Sequence, residues 1–95
     1  MYICFAEYRI DPEQREAYSQ AIGRLLERQP QVRLYEGTDQ PNLFVEIWTA
    51  SSLDEAEAIK KERLNERSSW SALTPFIAGG AAKLHVWSFK PVPGA

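Results

Sequence analysis

An α+β fold with element order β-α-β-β-α-β is predicted, its single four-stranded antiparallel sheet covered by two helices on one side. Three observations predict it. Four segments alternate their side chains with the two-residue strand period, near residues 2–9, 32–35, 43–48 and 83–89. Two segments carry helix-start signals followed by apolar residues at helical spacing. Each helical segment stands between two strands, so the chain divides into two strand-helix-strand halves.

The first strand alternates Ile3, Phe5 and Glu7 with Tyr2, Cys4, Ala6 and Tyr8, and its aromatic and β-branched content suits burial on both faces. Asp11-Pro12-Glu13-Gln14 then reads as a helix start, with an Asp cap, Pro at the first helical position and Gln three residues after the cap. Tyr18, Ala21, Ile22, Leu25 and Leu26 form one apolar stripe. Gly23 inside this helix costs up to ~1 kcal/mol relative to Ala, which points to close packing on the sheet, and Pro30 ends the helix.

Val32 and Leu34 alternate with Arg33 and Tyr35, and the turn residues EGTDQPN lead into a hairpin partner beginning at Leu43. A four-residue loop between Gly37 and Asn42 would set Arg33 opposite Glu46 and Tyr35 opposite Phe44. In this third strand Leu43, Val45 and Ile47 share an aliphatic face, expected under the helices. Phe44, Glu46 and Trp48 share the other, expected to face away from them. Ser52 with Glu55 is a capping box, contributing ~1 kcal/mol and marking where the second helix begins.

That helix carries Leu53, Ala56 and Ile59 before KKERLNER interrupts the stripe with charge. A solvated surface is the plain reading; the alternative turns Arg63 or Arg67 inward, toward a pocket between helix and sheet. Ser68-Ser69 can cap a further helical turn containing Trp70, Leu73 and Ile77, closed by Pro75 and Gly79-Gly80 and read as a lid or spacer. The last strand sets Leu84 and Val86 against Lys83, His85, Trp87 and Phe89 before PVPGA breaks it.

Together these elements give a ferredoxin-like fold, a single domain over residues 1–90 with a tail at 91–95. Right-handed connections place the first and third strands in the centre as parallel neighbours, flanked by the fourth and second. The face away from the helices then carries Phe44, Glu46 and Trp48 with His85, Trp87 and Phe89. So large an aromatic patch calls for a second copy packed sheet to sheet, a homodimer.

Composition narrows the function classes. At 95 residues the chain suits one core. Its only cysteine, Cys4, lies in an apolar run with no basic neighbour in sequence, so a buried, inert thiol in a reducing, cytoplasmic setting is expected. A net charge of −2 with dispersed basic residues leaves no footprint for nucleic acid. Apolar runs are strand-length and Met1 leads directly into YICFAEY, so neither a membrane role nor a signal peptide is expected. Three Trp, four Tyr and four Phe require a core, a ligand or a partner to cover them.

The element order, the FVEIW strand running into a capped helix and the terminal LHVW strand resemble the dimeric α/β-barrel superfamily, and within it the antibiotic-biosynthesis-monooxygenase-like group. That group often carries a Glu-x-x-Trp or Glu-x-Trp pattern on the third strand, matched here by Glu46 and Trp48. The resemblance spans residues 2–89. It implies a small homodimer with a pocket for an aromatic or hydrophobic metabolite and, in the catalytic members, monooxygenase-like chemistry without a bound cofactor. The alternative is a non-catalytic dimeric ligand-binding or structural protein. Haem degradation is disfavoured, because YICFAEYRI contains no Asn and His85 stands on the last strand instead of a helix.

Strand adjacency would let His85, Glu7 and Glu46 meet, two carboxylates and an imidazole able to transfer a proton on an aromatic substrate held by Trp48 and Trp87. Phe44, Arg63 and Trp70 complete the expected ligand-binding set. The structural alternative pairs Arg33 with Glu46 and Lys83 with Glu7. A metal site is not expected, since a facial triad usually brings two His.

Overall fold

The computed structural model describes the whole chain, Met1–Ala95. Six main elements follow the expected order: β1 (Tyr2–Arg9), α1 (Arg15–Glu27), β2 (Val32–Glu36), β3 (Leu43–Ala50), α2 (Leu53–Leu64) and β4 (His85–Phe89). The sheet order is β2-β3-β1-β4 and every neighbouring pair is antiparallel. The central pair was expected to be parallel. The hairpin excludes that: β1-α1-β2 returns β2 in the direction of β1, and the tight turn then reverses β3.

The helix layer covers the face opposite to the one expected. Phe44, Glu46, Trp48 and Ala50 of β3 are buried beneath the helices together with Cys4, Ala6 and Tyr8 of β1 and Val86 of β4. Leu43, Val45 and Ile47 point to the open face. They lie there beside Ile3, Phe5 and Glu7 of β1, with His85, Trp87 and Phe89 beyond. Hence β1 is covered on one face only within the single chain. The large rings of Phe44 and Trp48 fill the depth between sheet and helices, which three aliphatic side chains would leave underpacked.

The hairpin register differs by one residue from the expectation. Leu34 stands opposite Glu46, Arg33 opposite Ile47 and Tyr35 opposite Val45. Gly37 donates its N–H to the Leu43 carbonyl at 2.9 Å, one residue beyond Asn42. Asn42, at φ 70°, turns the chain, and its amide oxygen accepts from Arg15 Nη1 at 3.0 Å. Arg15 also grips Glu36 at 2.7 and 2.9 Å. That hydrogen-bonded guanidinium, aided by the Asn42 backbone N–H, holds the Glu36 carboxyl below its ordinary range.

Helix starts follow the sequence with small differences. Ser52 Oγ accepts from the Glu55 N–H at 3.1 Å, but Glu55 reaches back to Ser51 instead of Ser52, accepting from its hydroxyl and its N–H. Asp11 makes no side-chain cap, and Pro12–Gln14 forms a 3-10 turn ahead of α1. The segment Ser69–Phe76, expected as a lid or spacer, is a 3-10 helix built into the core. Trp70, Leu73 and Ile77 are buried, and the Asp11 N–H bonds the Phe76 carbonyl at 3.0 Å. Lys83 ends a short 3-10 turn and lies outside β4.

Cys4 is fully buried, and burial followed by the Glu46 charge pushes its thiol up to about 11. Gly23 meets no close packing: a Cβ built there has nothing within 4 Å. Gly23→Ala is therefore expected to raise stability by up to ~1 kcal/mol, seen as a higher urea midpoint at unchanged slope. An unchanged or lower midpoint would show that the glycine is needed there.

Candidate functional site

The residue types most capable of chemistry meet beneath the helices, around Glu46. Strand parity points this carboxylate into the layer, and α2 delivers Arg63 above it because Ala56, Ile59 and Arg63 continue one helical stripe. Arg63 Nε donates to Glu46 Oε1 at 2.7 Å and Nη2 donates to Oε2 at 2.8 Å. Trp48 Nε1 donates to Oε1 at 2.9 Å and the Tyr8 hydroxyl to Oε2 at 2.6 Å. The Tyr18 hydroxyl joins the chain, 2.7 Å from that of Tyr8.

Rings wall this network in. Trp70 and Tyr8 lie 5.2 and 5.7 Å from the Arg63 guanidinium carbon, and Trp70 meets Trp48 edge to face at 4.8 Å. Tyr18 packs on Phe44 at 4.7 Å. Burial and then the Glu46 charge hold the Tyr8 hydroxyl well above its ordinary range, and burial raises Tyr18 despite its bond to Tyr8. For Arg63 burial acts downward, but the hydrogen bonds and charge of Glu46 outweigh it and raise the guanidinium. Every oxygen of Glu46 is therefore occupied by fixed donors, and the network is built to stay as it is.

The expected meeting of His85, Glu7 and Glu46 does not occur. Glu7 and His85 are direct register partners on the open face, while Glu46 lies on the other side of the sheet. The same separation excludes the facial triad. Neither of the alternative pairings forms: Arg33 stands opposite Ile47 while Glu46 takes Arg63, and Lys83 makes no ion pair with Glu7. Phe44, Trp48 and Trp70 are core side chains that line neither of the clefts described next, and Trp87 stands on the open face, stacked on His85 at 5.8 Å. Tyr8 and Tyr18 went unselected in the sequence, although Tyr8 shares the parity of Cys4 and Ala6, and Tyr18 sits on the α1 stripe.

Two main clefts remain open. One, of about 590 Å³, lies at the end of β1 between Glu7, Arg9, Leu43, Lys83 and His85. The other, of about 650 Å³, lies between the C-terminal end of α2, the 3-10 segment and the approach to β4. Leu64, Pro75, Ile77 and Leu84 contribute its apolar wall, and Arg63 lines it from within. Arg63 Nη1 has no hydrogen-bond partner in the protein, yet no polar side-chain atom is sealed away unpaired, so this nitrogen is reached by solvent on a residue that borders the cleft.

Removing one member of the buried pair leaves the other charge uncompensated. Arg63→Met is expected to cost about 3–5 kcal/mol in urea unfolding, and adding Glu46→Gln to it should recover at least half of that loss. Additive losses in the double variant would show that the two side chains act independently.

No family model matches the sequence, and no curated protein does. Solved structures do match the fold. A crystal structure of an antibiotic biosynthesis monooxygenase aligns with TM-score 0.72 at 21% identity, covering 98% of this chain and 100% of that one. A Nitrosomonas europaea protein named for the same group gives 0.68 at 16%, covering 97% and 99%. A NIPSNAP family protein of Agrobacterium tumefaciens gives 0.66 at 14%, covering 99% and 95%. The chain thus has the ferredoxin-like fold of the antibiotic-biosynthesis-monooxygenase-like proteins.

Proposed function

We propose that the protein is a homodimer, paired sheet to sheet, that binds a small hydrophobic metabolite in the cleft beside Arg63. The observation that carries this reading is the cleft itself: Leu64, Pro75, Ile77 and Leu84 give it a hydrocarbon wall, and Arg63, Asn65, Ser71 and Thr74 set polar groups beside it, the usual composition of a small-molecule site. The dimer rests on the open face. Trp87 and Phe89 are 43% and 48% exposed there, and Phe5 packs against both, so the patch is continuous.

Binding is better supported than catalysis. A general acid or base has to exchange its proton with a substrate, and Glu46 has no free lone pair directed at either cleft. A monooxygenase-like activity without a bound cofactor is the second reading, drawn from what two of the similar structures are named for. One observation favours it: Glu7 and His85 stand side by side at the other cleft, with Arg9 and Lys83 in the wall. The proton-transfer pair in that reading is Glu7 with His85, and Glu46 has no part in it.

Light scattering at micromolar concentration should give twice the 10.8 kDa chain mass. Trp87→Ala should weaken the dimer by about 2 kcal/mol or more, as aromatic anchors do. A monomer mass would remove the dimer. For the pocket, titration with tetralin, a two-ring hydrocarbon, should shift the backbone amide resonances of Leu64, Ile77, Ala81 and Leu84. Shifts confined to the neighbourhood of Glu7 and His85 would move the site to the other cleft.

A further inference from the structure

We infer that the ligand of the Arg63 cleft is an uncharged, largely apolar molecule that presents one carbonyl oxygen to Arg63 Nη1. The inference rests on the ligand-binding reading above and adds the chemistry of the bound group.

A guanidinium carries five N–H donors. In Arg63 the Nε and Nη2 edge is held by both oxygens of Glu46, at 2.7 and 2.8 Å, while the two N–H groups of Nη1 have no acceptor in the protein. The side chain is only 1% exposed. Nη1 is not sealed from solvent, so water can meet it while the cleft is empty, and a ligand that displaces that water has to supply an acceptor in its place. Nor can the group turn elsewhere for a partner, because the bidentate contact fixes its plane and the Tyr8 and Trp70 rings flank it. Nη1 is therefore the part of the guanidinium left to donate, on a residue that borders the cleft.

The charge balance selects the acceptor. Glu46 already neutralises Arg63, and Glu66 stands in the cleft wall. A carboxylate or phosphate entering here would be a second negative charge on one guanidinium in a poorly solvated place. A neutral carbonyl takes the hydrogen bonds without that cost. Leu64, Pro75, Ile77 and Leu84 supply contact for a hydrocarbon body, and about 650 Å³ accommodates a molecule of two fused rings.

Three probes of one shape separate the alternatives in calorimetric titration of the intact protein: tetralin, 1-tetralone and tetralin-1-carboxylate. The carbonyl makes tetralone less hydrophobic than tetralin, so a preference for it cannot come from partitioning. We expect tetralone to bind about tenfold or more tightly than tetralin, the increment of a hydrogen bond to a charged donor, and the carboxylate to bind more weakly than tetralone. The guanidinium ¹⁵Nη resonances of Arg63 should shift with tetralone and stay in place with tetralin. Ala81→Trp, which fills the cleft from its exposed rim, should remove binding of both. Equal affinity for tetralin and tetralone, or tightest binding of the carboxylate, overturns this inference and leaves the hydrophobic pocket standing. Failure of all three probes to bind, or binding undiminished in Ala81→Trp, overturns the pocket as well.

Discussion

The buried contact between Glu46 and Arg63 is the constraint on which the rest of the molecule depends. Desolvating a carboxylate and a guanidinium costs several kcal/mol each, and the attraction between them offsets this only with good geometry and every remaining lone pair occupied. Both conditions are met here, since Trp48 and Tyr8 fill the positions on Glu46 that Arg63 leaves. The arrangement draws on β1, β3, α1 and α2 at once. It is a meeting point of elements far apart in sequence, and that is also what removes it from chemistry: a carboxylate fixed by four hydrogen bonds from three residues is poor at exchanging protons.

Reactive potential is accordingly displaced to the edges of the layer. Glu7 and His85 occupy the outer face, and Arg63 borders a cleft whose wall includes Leu64, Pro75, Ile77 and Leu84. No helix is long and apolar enough to cross a membrane. The solved structures resembled by this chain differ among themselves in what they are named for, so the fold carries no choice of reaction. What bears on function in this chain is local: the face that Glu46 takes, and the partners that Arg63 makes there.

Much of the fold was legible in the amino-acid pattern. The element order, the α1 stripe and the Ser52 cap are local signals, and local signals survive folding. Which side of the sheet each face takes was not legible. Alternation along β3 divides its residues into two sets without telling which set lies under the helices, and both sets are hydrophobic enough to be covered. The deciding partner, Arg63, lies 17 residues away in a stretch that reads as solvated because its neighbours are charged. Its spacing from Ala56 and Ile59 was the available signal. The separation of Glu7 and His85 from Glu46 follows from the same ambiguity, since one reversed face moves one carboxylate to the wrong side.

A strand that is apolar on both sides has little of its own to prevent it from sliding past its neighbours by one position. In β3 such a slide would exchange Glu46 for Val45 beneath α2 and send the carboxylate out opposite Phe5, with Trp87 beyond. Arg63 would then face hydrocarbon. The ion pair thus works as a lock on alignment, and it lets β3 keep a greasy surface on its other side without losing its place in its own sheet.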